Sequence, residues 1–113
     1  MNTSEVCIKM EDIIIDCQQE KSGEYAVGLL SDFYLSQSIS VKNEIDDLLI
    51  EWIRIGDIIK VDYAIALCSD LHITKSIPVL EEELQSINNN SSRLPKYFSE
   101  FLRAAINRLN SNV

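Results

Sequence analysis

The sequence predicts an all-α fold: a short α–α solenoid of about six helices with a repeat period of about 38 residues. Three observations carry this. Apolar residues recur at helical spacing along most of the chain, residues 63–77 copy residues 25–39, and no segment alternates in the manner of a strand. The expected helices are roughly 4–19, 23–36, 40–55, 58–72, 75–88 and 94–110.

The first helix rests on the stripe Val6, Met10, Ile13, Ile14 and Cys17, and the polar run Glu20-Lys21-Ser22-Gly23 ends it. The second opens the copied segment YAVGLLSDFYLSQSI, which reappears 38 residues later as YAIALCSDLHITKSI with seven of 15 positions identical. Both copies carry an i, i+4, i+8 spine, Tyr25-Leu29-Phe33 and Tyr63-Leu67-Leu71, with second rows through Ala26 and Leu30 and through Ala64 and Cys68. A weaker third match, Phe101-Ala105-Leu109, lies in the last helix, beside a row through Leu102 and Ile106.

The third helix is the most clearly amphipathic segment, with Ile45, Leu48, Leu49, Trp52 and Ile53 forming one broad stripe. That stripe assigns Trp52 to the core rather than to an interface. Gly56-Asp57 then breaks the chain, with Asp57 as N-cap of the fourth helix. The fifth helix uses Ile77, Leu80, Leu84 and Ile87. Pro78 and Pro95 lie near helix starts, where a missing N–H costs little. A polar run, Asn88 to Ser92, precedes the last helix.

At 113 residues, 46% hydrophobic and 25% charged, the chain fits one globular domain and is too short for a second core. The organisation expected is a single helical repeat domain over 1–113, with units at roughly 23–56 and 57–92 flanked by the helices 4–19 and 94–110. Three widely spaced cysteines, Cys7, Cys17 and Cys68, fit reduced thiols packed as small apolar groups. No signal peptide is visible near the start, and the longest aliphatic run, Ile13-Ile14-Ile15, is far too short to span a bilayer. A cytoplasmic protein is expected.

Eighteen acidic against ten basic side chains give a net charge of −8. Such a surface repels phosphate backbones and anionic lipid, which argues against nucleic-acid and membrane partners and for a basic protein partner. The excess is segregated: residues 1–83 hold 17 acids and six bases, whereas residues 84–113 hold one acid and the bases Arg93, Lys96, Arg103 and Arg108. That basic set is sparse and lacks interleaved aromatics, so it does not read as a nucleic-acid site.

Catalytic, cofactor and metal signals are all missing from the pattern. The one histidine, His72, falls in a turn and reads as a solvated or loop-packing residue. The carboxylate runs Asp46-Asp47 and Glu81-Glu82-Glu83 lack a neighbouring histidine or ligand spacing that would make them acid–base pairs. No enzyme is expected. The carboxylates instead mark helix faces. Glu44, Asp47 and Glu51 follow at i, i+3 and i+7 opposite the third helix's apolar stripe, and Asp12, Asp16 and Glu20 repeat at i, i+4 and i+8 on the first. Two readings of these faces stand, a solvated skin that keeps a small protein soluble and a docking surface for a basic protein. Tyr34 and its counterpart His72 are expected at one edge, in the turns between helices, where an exposed tyrosine could anchor a partner.

The segment Tyr63-Ala64-Ile65-Ala66-Leu67 … Leu71 … Ile77-Pro78-Val79-Leu80 … Leu84 resembles a HEAT-type repeat, with small residues in the first helix and a proline early in the second. That resemblance implies helix pairs stacked with their second helices side by side, so that the acidic faces would line one surface. Size, acidity and lack of catalytic signals together are similar to bacterial immunity proteins of polymorphic toxin systems, including contact-dependent growth inhibition. The resemblance implies an inhibitor that covers a basic nuclease-type toxin domain, with Glu44, Asp47, Glu51, Glu81 and Glu82 as contacts and Tyr34 as anchor. The alternative is a HEAT-like adaptor in another intracellular complex. A HEAT-like glycosylase on nucleic acid is disfavoured by the negative charge and the short array.

Overall fold

The computed structural model describes residues 3–18 and 23–111, which are all-helical with no strand among them. Helices α1 (Thr3–Gln18), α2 (Gly23–Leu35), α3 (Ile39–Ile55), α4 (Ile58–Asp70), α5 (Ile77–Asn88) and α6 (Phe98–Asn110) follow in order, with a one-turn 3-10 helix at Thr74–Ser76. Glu20, Lys21 and Ser22, read from sequence as an acidic position and a helix break, lie outside the described residues. The chain divides into two compact units, Met1–Leu48 and Leu49–Val113, and the division falls inside α3.

In the first unit α1 packs on α2. Spacings of four, four and three put Val6, Met10, Ile14 and Cys17 on one buried side of α1. On α2 the expected spine is not the inner row. Tyr25 and Leu29 are exposed and Phe33 is half-buried, while Ala26 and Leu30 are fully buried. Two apolar rows run along this helix, and the one that is buried contains the small Ala26, which permits close approach. α2 ends on side-chain caps, since the Ser36 hydroxyl and the Gln37 amide both donate to the Phe33 carbonyl, at 2.7 and 3.0 Å. Ser38 then opens α3 by accepting from the Val41 N–H at 3.3 Å.

The second unit holds the rest of α3 with α4, α5 and α6. Leu49, Trp52 and Ile53 are buried, so Trp52 is core as its stripe predicts. Asp57 caps α4 as expected, its Oδ1 accepting from the Lys60 N–H at 2.9 Å. α4 buries Val61, Ala64, Ile65, Leu67 and Cys68. It stops at Asp70, two residues before the expected end, because His72 turns left-handed at φ 57°. The His72 N–H then donates to the Ser69 carbonyl at 3.3 Å and the Ile73 N–H to the Cys68 carbonyl at 2.9 Å. This is a Schellman end, with Ile73 buried beside it. α5 ends the same way at Asn90, φ 59°, through Asn90 to Ile87 at 3.0 Å and Ser91 to Ser86 at 2.9 Å.

The inner side of α5 is Val79, Leu80 and Ile87, while Ile77 and Leu84 from the expected stripe are only half-buried. α6 starts at Phe98, four residues later than expected, because residues 92–97 are held in turns. Ser92 Oγ accepts from the Leu94 N–H at 3.0 Å, and the Pro95 carbonyl accepts from the Phe98 N–H at 3.1 Å. Phe98, Leu102, Ala105, Ile106 and Leu109 then face inward, and α6 packs on both α4 and α5.

One side chain closes this unit. Arg93 reaches the C-terminal end of α3 and donates Nε–H to the Arg54 carbonyl at 3.2 Å, an Nη1–H to Gly56 at 2.8 Å and an Nη2–H to Ile53 at 2.9 Å. Carbonyls that a helix end leaves without partners are thus capped by a cation, which also complements the negative end of the helix dipole. Gly56 fits the same spot because a Cβ there would lie 2.5 Å from the Trp52 carbonyl oxygen.

Two stability predictions follow from these helix ends. Arg93→Ala should cost about 1–3 kcal/mol in urea unfolding, and Arg93→Lys should recover less than half of it, since an ammonium lacks the guanidinium fork. His72→Gly should raise stability by about 0.5–1 kcal/mol by removing the left-handed penalty on a residue with a Cβ. An unchanged or lower urea midpoint would show that His72 is not strained.

Candidate functional site

Hydrolytic or redox chemistry needs a clustered set of nucleophile, base or metal ligands. Among the described residues, no group of three His, Cys, Asp or Glu side chains is placed to hold a metal ion. Cys17 and Cys68 are buried, Cys7 is half-buried, and none of the three is in a disulfide. His72 is exposed, and its place in the chain is explained by the helix end it makes.

Among the described residues, the concavities of the second unit include a groove and a pocket. An open groove of about 600 Å³ is lined by Gly56, Asp57, Ile58, Ile59 and Arg93. In it Asp57 is spent on capping α4 and Arg93 on capping α3. A smaller pocket of about 150 Å³ is lined by Ile87, Asn90, Ser92, Leu94 and Lys96. Neither lining carries a histidine, a cysteine or a pair of carboxylates.

The acidic residues separate by position. Asp47 and Glu51 are exposed, one helical turn apart on α3, and Glu81 and Glu82 are exposed on α5. Within the second unit the Arg54 guanidinium, one turn after Ile50 on α3, meets Glu82 at 3.8 Å, so the end of α3 lies against α5 at this point. Both partners are largely solvated, and such a pair adds little stability. Glu83, next along α5, is half-buried. Burial pushes its carboxyl above the ordinary 4.5; Arg93 opposes that rise, Glu82 adds to it, and Arg54 opposes it more weakly.

Glu44 departs from its expected place on the open acidic face. It is half-buried, and its Oε2 is enclosed without a hydrogen-bond partner. The reason is its register: Glu44 stands one turn before the buried Leu48 and so flanks the apolar stripe rather than opposing it. Tyr34 departs as well. It belongs to the last turn of α2 rather than to the following loop, and it is half-buried. Its hydroxyl donates to Asp46 Oδ1 at 2.9 Å, and the Lys42 ammonium stands 5.7 Å from its ring centroid. Tyr34 therefore ties α2 to the start of α3. Its counterpart His72 is in a turn, so the two aligned positions have different surroundings.

The structure also gives some marked residues roles that the sequence pattern did not suggest. Asp46 serves Tyr34, and Arg93, read only as one of a sparse basic set, is a helix cap. The partners of Arg93 lie 37 to 40 residues away, beyond any local pattern. Ile8 and Ile15 stand exposed off the stripe of Val6, Met10 and Ile14, a signal that their spacing of seven does contain.

No family model matches the chain, and neither a curated protein nor a solved structure matches it. No helix among the described residues is long and apolar enough to cross a membrane.

The raised Glu83 carboxyl sets a pH dependence with a definite sign. Its contribution to stability is fully present below pH 4.5 and is lost as pH climbs through the higher folded-state value. Glu83→Gln is neutral at every pH, so its stability relative to the parent chain should rise from pH 4.5 upward. Urea unfolding between pH 4 and 7 reads this directly, and a constant difference would contradict it.

Proposed function

We propose that this chain is a non-enzymatic, protein-binding inhibitor of the immunity type, which covers a basic, nuclease-type toxin domain with an acidic helical surface. The observation that carries the reading is the outward placement of Asp47 and Glu51 on α3 and of Glu81 and Glu82 on α5, while the apolar stripes of both helices turn inward. Carboxylates at these positions imitate the phosphates of a nuclease substrate in charge. They would steer a basic partner into contact and sit over its substrate cleft.

Glu44 and Tyr34 have lesser parts in this reading. The enclosed Glu44 oxygen and the Tyr34 hydroxyl are turned toward the protein itself. In its finer form the proposal includes a short HEAT-like solenoid, with residues 25–39 and 63–77 as successive copies, acting in the cytoplasm. The net charge of −8 favours a protein partner over nucleic acid or a lipid surface.

The test is capture of the partner from source cells at low and high salt, followed by an activity assay on the captured domain. A basic domain whose nuclease activity stops on adding this chain is the expected result. Its affinity should fall at high salt, and by about tenfold or more with Glu51→Lys and Glu82→Lys combined. A partner that is not basic, or one bound equally well by the reversed variant, would overturn the proposal.

A further inference from the structure

Exposed large apolar side chains occur in both units, and those on α1 and α2 of the first form a regular set. Ile8 and Ile15 on α1 are 57% and 53% exposed, and Tyr25 and Leu29 on α2 are 50% and 36% exposed. Isolated exposed hydrophobics are ordinary, but these four repeat along two packed helices. Each pair keeps one register, Ile8 and Ile15 seven apart and Tyr25 and Leu29 four apart. The isoleucines gain little from burial, and a β-branched residue is not a favoured helix former on a solvated face. Folding therefore gives no reason for them.

Carboxylates fill the positions between and beside them. Asp12 and Asp16 are exposed on α1, Asp32 is exposed one turn after Leu29, and residues 1–48 hold ten carboxylates against three lysines. Apolar residues flanked by acids complement an apolar stripe flanked by bases. The same excess charge opposes self-association through this face.

We propose that the outer sides of α1 and α2 are a docking face for an amphipathic helix of a partner protein, its apolar side chains against Ile8, Ile15, Tyr25 and Leu29 and its lysines or arginines against Asp12, Asp16 and Asp32. This deepens the inhibitor reading and rests on it only for the sign of the partner's charge. It adds apolar anchoring on α1 and α2 to the carboxylates named on α3 and α5. The mode is that of an amphipathic helix laid on an apolar face, where buried side chains set the lifetime and charge sets the encounter rate.

The probe is a labelled Leu/Lys peptide of about 18 residues, five helical turns, titrated by fluorescence anisotropy against the whole chain. A scrambled peptide of the same composition and a Leu/Glu peptide serve as controls, and amide shifts locate the contact. The amphipathic Leu/Lys peptide should bind about tenfold tighter than the scramble. It should shift amides of α1 and α2 and lose most of that advantage with Ile8→Ser and Ile15→Ser combined, both at solvated positions. Equal binding of the scramble, with shifts on α3 and α5, would overturn this docking face and leave the acidic surface of the inhibitor reading intact. Equal binding of the Leu/Glu peptide, or binding indifferent to the serine pair, would overturn it too. If neither lysine peptide binds even at low salt, this proposal and the acidic-surface reading fall together.

Discussion

The second unit depends on how the C-terminal end of α3 is closed. A helix of this length ends with carbonyls that have no partner of their own, and Arg93 supplies N–H groups to Ile53, Arg54 and Gly56 at once. Everything near it is arranged to permit that reach. The left-handed Asn90 turns the chain out of α5, the buried Leu94 pins the loop just beyond Arg93, and Gly56 follows α3 where a Cβ would crowd the Trp52 carbonyl. The turn into α4 and the approach to α6 are thereby fixed to one another by a single guanidinium. Its charge also reaches Glu83, so the cap and the acidic side of α5 belong to one electrostatic group.

Much of the fold was legible in the sequence because helices announce themselves by period. The stripe Ile45-Leu48-Leu49-Trp52-Ile53 is buried residue for residue, and Asp57 caps α4 by the chemistry that aspartate brings to that position. Boundaries were less legible where tertiary or turn chemistry competes with propensity. Residues 94–97 are held by the Ser92 and Pro95 turns, and Pro95 itself disfavours a helical Leu94. His72 ends α4 in a left-handed conformation usually given to glycine, which histidine adopts more readily than most residues but which no local pattern marks. Glu44 and Tyr34 differ from expectation for a related reason: a residue at the margin of an apolar stripe can turn either way, and its neighbours decide.

The copied segments show how far sequence identity translates into environment. Ala26 and Ala64 are both fully buried, as are Leu30 and Cys68 at the next turn. Beyond that the copies part. Leu29 is exposed where Leu67 is buried, and Ser38 accepts a bond from the Val41 N–H where the buried Ser76 donates to the Ile73 carbonyl. Ile39 is largely exposed, while Ile77 is half-buried. What is kept is the inner row that lets a helix approach its neighbour; the edges have diverged to suit different ends.

The reach of Arg93 also orders events in time. Its bonds span 37 to 40 residues, so closing them requires α4 and α5 to be in place, and that loop closure has an entropic cost. In a chain still being synthesised, Ile53, Arg54 and Gly56 are made before Arg93. Until Arg93 reaches them, those carbonyls lack the guanidinium cap. The three carbonyls that Arg93 caps belong to the second unit, so the cap forms only as that unit assembles.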